Sequence, residues 1–290
     1  MWHQIETSIQ QALLSEFNIT NKQAISGGDI SSAYQIMGDN GQSYFVKLNK
    51  LSFIENFLCE AANLEKISRT DSLYCPQVIT YGSSKNYSFL VLEWLDFTSP
   101  KMQEWHQAGQ ALAQMHMGDT QAQFGYEENN YIGKTIQPNP WHNNWSTFFA
   151  EQRIGHQLEL LNEKGVKIGD IDDIVALVHS HLKPRKPDAM LLHGDLWRGN
   201  ISFIKSRPVV YDPACYYGDH ETDLAMTELF GKLPREFYQG YEQILPIDTG
   251  YNQRKHIYNF YHILNHANLF GGSYIDQCRL YLHTLSELKL

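Results

Sequence analysis

Leu191-Leu192-His193-Gly194-Asp195-Leu196-Trp197-Arg198-Gly199-Asn200 is the stretch on which the reading turns. Ile201 to Ile204 follow, then a polar turn at Lys205 to Arg207, then Val209-Val210-Tyr211-Asp212-Pro213. An apolar strand delivers a carboxylate, a loop places a carboxamide five residues later, and a hairpin ends in a second carboxylate. Transfer of a phosphoryl group needs oxygen ligands around a divalent cation and an acceptor for the proton of the attacking hydroxyl. Asp195, Asn200 and Asp212 supply these groups in that order. Taken singly, each residue has a plainer role, since Asp and Asn often cap turns.

The interval from Asp195 to Asn200 matches the D-x-x-x-x-N spacing of a kinase catalytic loop, with His193-Gly194 standing where protein kinases have His-Arg. Asp212 falls where the metal-binding Asp of their D-F-G element falls. Upstream, Tyr44-Phe45-Val46-Lys47-Leu48 is an apolar strand with one lysine, like the strand whose lysine reaches ATP phosphates. A lysine guarding a sheet edge would look the same. The helix that follows favours the first reading, because Phe53, Phe57, Ala61, Leu64 and Ile67 form its apolar stripe and Glu60 lies on it. A carboxylate turned toward a core needs a cation, and Lys47 is the natural partner. Ahead of that strand, Ile25 to Ile36 reads as strand, turn and strand, with Gly27-Gly28 able to fold backbone over a phosphate. A ligand-free Gly-Gly hairpin has the same signature.

With 290 residues, 42% of them hydrophobic, the chain can bury a large core. A net charge of −9 argues against a nucleic-acid surface, which needs clustered Lys and Arg. Cys59, Cys75, Cys215 and Cys278 form no C-x-x-C pair, so a zinc cluster or disulfide framework is not expected. The start of the chain lacks the apolar run of a secretory signal, and no stretch reaches the length of a membrane span. A reduced, cytoplasmic protein is expected, with no membrane partner.

A short amphipathic helix is expected over residues 3 to 16, from Ile5, Ile9, Ala12 and Leu13. Two more strands cover residues 77 to 82 and 86 to 95. The second ends in Glu93-Trp94-Leu95 before a polar, proline-bearing segment. This looks like a hinge whose backbone could bind an adenine edge, so the boundary between lobes is placed at about residue 95, separating 1–95 from 96–290. Residues 118 to 141 are irregular and rich in Gly, Asn and Gln, which in a compact domain signals a task. A helix runs from about Asn144 to Lys164, and Trp141 and Trp145, four apart, would share a face as core anchors or as a platform for a sugar ring. Another helix covers Asp170 to Leu182. Beyond Asp212, Tyr217, Glu221 and Asp223 would lie on the side a substrate enters, although Asp223 ahead of an apolar helix reads more readily as an N-terminal cap or a dipole partner. The remainder is helical, and its long helix closes with Asn265-His266.

Leu192-His193-Gly194-Asp195-Leu196-Trp197-x-Gly199-Asn200, Tyr211-Asp212-Pro213-Ala214, Tyr217-Gly218, Gly27-Gly28-x-Ile30-Ser31 and Trp145-x-x-Phe148-Phe149 together resemble the fructosamine kinase, or ketosamine-3-kinase, family. The resemblance covers nearly all of the chain. The H-G-D-L-x-x-x-N core alone is shared with aminoglycoside and choline kinases, whereas Trp197 and Asp212-Pro213-Ala214 are more specific. It implies an α+β, two-lobed, protein-kinase-like fold, with a small antiparallel-sheet lobe carrying one helix and a larger, mainly helical lobe. The implied activity is ATP-dependent phosphorylation of the sugar 3-hydroxyl of ketoamines, small or protein-bound, releasing the amine. By motif, Asp195 would take or orient the hydroxyl proton, Asn200 and Asp212 would hold Mg²⁺, and Lys47 with Glu60 would position phosphates. Trp197 would border the sugar. Some members carry cysteine in the glycine loop where this chain has Asp29, so redox control through that loop is not implied here. A kinase for another hydroxylated amine, a silent nucleotide-binding scaffold, and a hydrolase using His193 with Asp195 are the competing readings; the last lacks a nucleophile motif.

Overall fold

The structure, a computed structural model, describes residues 1–26 and 30–288. Gly27, Gly28 and Asp29 of the expected phosphate loop lie outside the described residues. The chain opens with helix α1 (Trp2–Leu13), then strands β1 (Ile19–Ile25), β2 (Ser32–Gly38) and β3 (Ser43–Lys50). Helix α2 (Ile54–Ser68) precedes β4 (Val78–Ser83) and β5 (Tyr87–Glu93). The five strands form one antiparallel sheet in the order β1-β2-β3-β5-β4.

Alternate residues of a strand face opposite sides of a sheet, and here each side has its own helix. Phe89 and Val91 of β5 pack with Ile5 and Ile9 of α1, while Leu90 and Leu92 pack with Phe57, Ala61 and Leu64 of α2. On β3, Val46 and Leu48 join the α1 side, which turns Lys47 toward α2. Since β3 lies between β2 and β5, Lys47 guards no edge. Residues 94–101 then carry neither helix nor strand, and the Thr98 N–H donates to the carbonyl of Phe203 at 2.8 Å.

The rest of the chain is mainly helical: α3 (Met102–Gly118), α4 (Trp145–Phe148), α5 (His156–Glu163), α6 (Ile171–Leu182), α7 (Glu221–Leu229), α8 (Arg235–Ile244), α9 (Tyr251–Phe270) and α10 (Ser273–Glu287). The expected helix over 144–164 is present but not uniform. A wider, π-helical stretch over Phe149–Gly155 joins α4 to α5. It aims Arg153 inward, where the guanidinium donates to Pro138 O and Asn139 Oδ1, both at 2.6 Å, and stacks on Tyr216. Because α4 starts at Trp145, capped by Asn144, Trp141 stands outside the helix and the two tryptophans share no face.

Short strands lie among these helices and lead into the loops that hold Asp195, Asn200 and Asp212. β9 (Ala189–Leu192) pairs with β6 (Thr120–Gln121) and β12 (Tyr216–Gly218), and β10 (Ile201–Ile204) pairs with β11 (Arg207–Val210). The irregular 118–141 segment also holds the hairpin of β7 (Asn130–Ile132) and β8 (Thr135–Gln137). Its Asn130 and Gln137 amides donate to the carbonyls of Cys215 (2.7 Å) and Ala214 (3.1 Å), bracing the backbone just after Asp212.

Helices α3 and α8 cross with backbones nearly touching. A Cβ on Gly109 would lie 1.9 Å from Phe237 O, and one on Gly240 would lie 2.0 Å from His106 O. Both contacts are backbone, which cannot yield as a side-chain tip can. Gly240→Ala is therefore expected to lower stability by about 2–4 kcal/mol, read as a lower urea midpoint at unchanged slope. An unchanged midpoint would mean that the two helices separate freely.

Candidate active site

The loop after β9 is fixed by its backbone before any side chain contributes. Gly194 has φ +82°, and a Cβ there would meet Ala214 O at 2.0 Å, so glycine is required on two counts. Asp223, inside α7 and 1% exposed, accepts from the N–H groups of His193 (2.7 Å) and Gly194 (2.8 Å) and from His116 Nε2 (3.1 Å). Burial would raise its pKa, but these partners outweigh that and hold the carboxyl below the usual range. Asp223 is thus an anchor of the loop after β9. This corrects the reading of it as a cap, because its oxygens bond residues outside its own helix.

The proton positions around Asp223 follow from the acceptors. His116 donates to the carboxylate, so its Nδ1 accepts from Tyr241 Oη (2.7 Å); that oxygen accepts from His220 Nδ1 (2.9 Å), and His220 Nε2 accepts from Arg185 (3.3 Å). Burial lowers the pKa of His220 to about 4, consistent with a neutral ring. His193 is likewise committed: Nε2 donates to Tyr211 O at 3.1 Å, and Nδ1 accepts from the Asp195 N–H at 3.3 Å. With both nitrogens holding backbone, His193 has none left for the acid or base work of a hydrolase.

On this frame the Asn200 amide donates to the Asp195 carbonyl (2.8 Å) and more distantly to its carboxylate Oδ2 (3.3 Å). The amide oxygen of Asn200 is thereby left to act as an acceptor. Burial first, then the charges of Asp212 and Asp223, push the pKa of Asp195 up to about 7. Asp212 takes an unusual φ of +58° and reaches across to Lys47, which also bonds Glu60 at 2.6 Å. Burial alone would lower the Lys47 pKa, but the two carboxylates reverse this and hold it charged, while burial raises Glu60. One lysine therefore ties the sheet, α2 and the loop after β11 to a common point.

The proposed adenine edge, Glu93 to Leu95, begins where β5 ends. The Glu93 carboxylate is occupied by Tyr74 Oη and the Gln77 N–H, and Trp94 Nε1 donates to Asp96 at 2.9 Å. Any contact to a base would fall to the backbone here. Trp197 is partly exposed and lies edge-on to Phe230 (6.0 Å). His266 packs between Phe230 (4.6 Å) and Tyr274 (5.1 Å), with its Nδ1–H donating to His262 O at 2.8 Å. With Phe270, these rings build an aromatic wall beside the loop. Phe230, Phe270 and Tyr274 carry no local sequence signal that sets them apart from core aromatics.

Four expected substrate contacts lie elsewhere. Trp145 is 2% exposed and packs among Phe124, Phe149 and Tyr258, with its N–H directed at Tyr258 Oη. Glu221 is 0% exposed and receives Arg254 at two bonds of 2.7 Å, with Arg185 at 3.7 Å. A buried carboxylate so neutralised is structural. Tyr217 is equally buried, its hydroxyl donating to Asp119 at 2.9 Å. Trp141, 39% exposed, leans on Tyr217 at 6.0 Å and groups with Lys66 and Tyr126 rather than with Trp197 and His266.

An antiparallel sheet with a lysine–glutamate pair, followed by a helical region with an Asp195–Asn200 loop and a facing Asp212, defines a protein-kinase-like phosphotransferase. Streptococcus pneumoniae choline kinase LicA shares this fold, with a TM-score of 0.67 at 13% identity over 99% of both chains. The fructosamine kinase family model matches residues 1–287, and the chain belongs to that family. It is 48% identical over 287 residues to a Vibrio parahaemolyticus protein named "Probable ketoamine kinase", covering 98% of this chain and 99% of that one. A Synechocystis protein of the same description is 46% identical, over 96% and 94% of the two chains. A crystal structure from Haemophilus somnus, named "Putative fructosamine-3-kinase", superposes with a TM-score of 0.93 at 33% identity, covering 98% and 97%.

Proposed function

We propose that the protein transfers the terminal phosphoryl group of ATP to the sugar 3-hydroxyl of a ketoamine, as the first step in removing the sugar from a glycated amine. The observation that carries this reading is the gathering of Lys47, Glu60 and Asp212 opposite Asp195 and Asn200. In this reading residues 1–95 form the nucleotide lobe and 96–290 the acceptor lobe, and the backbone of Glu93, Trp94 and Leu95 meets the adenine edge. Lys47, steered by Glu60, binds phosphate oxygens. Asp212 and the Asn200 amide oxygen are oxygen donors of the kind Mg²⁺ selects, and an ion held by one carboxylate, one amide and the phosphates is usual for this cation. Mg²⁺ bound there would neutralise charge on the phosphates during transfer. Asp195 accepts the hydroxyl proton and fixes its line of attack. Trp197 and His266 border the sugar.

A reduced, cytoplasmic setting fits, since all four cysteines are free. Among the described residues no helix is long and apolar enough to cross a membrane.

The test is a panel of fructosyl, ribulosyl and erythrulosyl amines with Mg-ATP, with choline and an aminoglycoside as controls, in wild type and Lys47→Met. Turnover of at least one ketoamine, with a rise of about 10-fold or more in the ATP KM of the variant, is expected. Phosphorylation of the controls alone would overturn the reading.

A further inference from the structure

One buried titratable side chain has no use in the mechanism above. His262, near the middle of α9, is 1% exposed, and among the described residues neither of its ring nitrogens has a hydrogen-bond partner. An unpaired polar group in a protein interior costs about 1–3 kcal/mol. The other buried histidine rings, His116, His193 and His220, show that the fold does satisfy its histidines, each using both nitrogens. His262 is the exception, and its Nδ1 lies 4.0 Å from Asp195 Oδ1.

That distance is too long for a hydrogen bond, but a carboxylate shift of about 1 Å would close it. Asp195 can make such a shift, because its side chain is held by a single long bond, 3.3 Å from Asn200 to Oδ2. A donor with nothing to donate to thus stands beside a carboxylate whose orientation is loosely set. We infer that His262 is a positioning residue for Asp195: with nucleotide and acceptor in place, its Nδ1–H donates to Oδ1, and this locks the carboxylate with Oδ2 toward the acceptor hydroxyl. The ring itself takes no proton. Burial, helped by His266, lowers its pKa to about 3, so it stays a neutral donor of fixed direction. This inference rests on the proposed role of Asp195 and adds to it the group that aims the proton acceptor.

Two substitutions separate donation from packing. His262→Leu keeps much of the volume without the N–H, and His262→Asn places an amide N–H near the position of Nδ1. With Mg-ATP and fructosyl-glycine, kcat of His262→Leu is expected to fall about 10- to 100-fold with both KM values within about 3-fold of wild type. His262→Asn should recover most of that loss. An unchanged kcat in His262→Leu, or an Asn variant as slow as the Leu variant, would overturn the inference. Should His262→Leu fail to fold, ¹⁵N-histidine-labelled wild type supplies the readout. The His262 Nδ1 resonance is expected to shift when Mg-AMP-PNP and fructosyl-glycine are added, and not in Asp195→Ala; no shift, or the same shift in both, overturns it. Full turnover in Asp195→Asn would instead remove the role of Asp195 itself, whereas an inactive Asp195→Asn beside an unaffected His262→Leu removes this inference alone.

Discussion

Asp195→Asn is expected to lower kcat by about 10³-fold or more while leaving ATP affinity nearly unchanged and making the protein more stable at alkaline pH. The kinetic part follows from shape: asparagine fills the same space but cannot take up a proton. The stability part follows from the environment of the carboxyl. Its folded-state pKa is raised from 3.8 to about 7, so the folded protein holds this proton more tightly than the unfolded chain does. The associated stability is complete below about pH 4 and is lost as pH rises through 7, where the ionised carboxylate becomes a burden. A shift of this size corresponds to about 4 kcal/mol at most, and a side chain 23% exposed recovers part of that in water, leaving about 1–3 kcal/mol. Thermal unfolding of both proteins at pH 4 and pH 8 checks the sign. Asp195→Asn should melt several degrees higher at pH 8, and the gap should close at pH 4. A gap of the same size at both pH values would show that charge is not its origin.

Asp223→Ala is expected to be the most damaging single change to the framework, costing about 3–5 kcal/mol and abolishing activity in whatever remains folded. It strips the acceptor from three buried donors at once, the N–H groups of His193 and Gly194 and the His116 ring. Asp223→Asn should lie between, since its single amide oxygen can serve only part of that set. Urea unfolding and kcat measured together decide the matter; an Asp223→Ala protein with wild-type turnover would show that the loop holds its shape unaided.

The groups legible in the sequence are those whose spacing along the chain is itself the chemistry. Asp195 and Asn200 meet because the four loop residues between them bring them back together, and Lys47 could be paired with Glu60 because a carboxylate on the apolar stripe of α2 needs a cation. What the sequence concealed depends on long-range partners. Glu221 and Asp223 read as exposed acids near a substrate entrance, yet both are buried, because Arg254, Arg185 and His116 come from distant elements to neutralise them. A usable signal existed: Asp219, Glu221 and Asp223 run directly into Leu224-Ala225-Met226, and acids embedded in an apolar segment require partners. Trp145 stayed open between core anchor and sugar platform, since a tryptophan suits both, and its burial decides for the core. His262 could not be singled out at all, because its importance lies in what it fails to touch.

On the proposed assignment of Asp212 as a metal ligand, the Lys47 ammonium, clasped between Glu60 and Asp212, would also set the order in which metal and nucleotide arrive. Free divalent ion reaching Asp212 must evict a resident cation and leave it facing only one acid, an exchange with little to recommend it. Metal already complexed to nucleotide would bring new anionic oxygens onto which the lysine could transfer, so that eviction and compensation would occur together. Occupancy by magnesium alone should accordingly be weak, and the lysine would serve as a placeholder that the loaded nucleotide relieves.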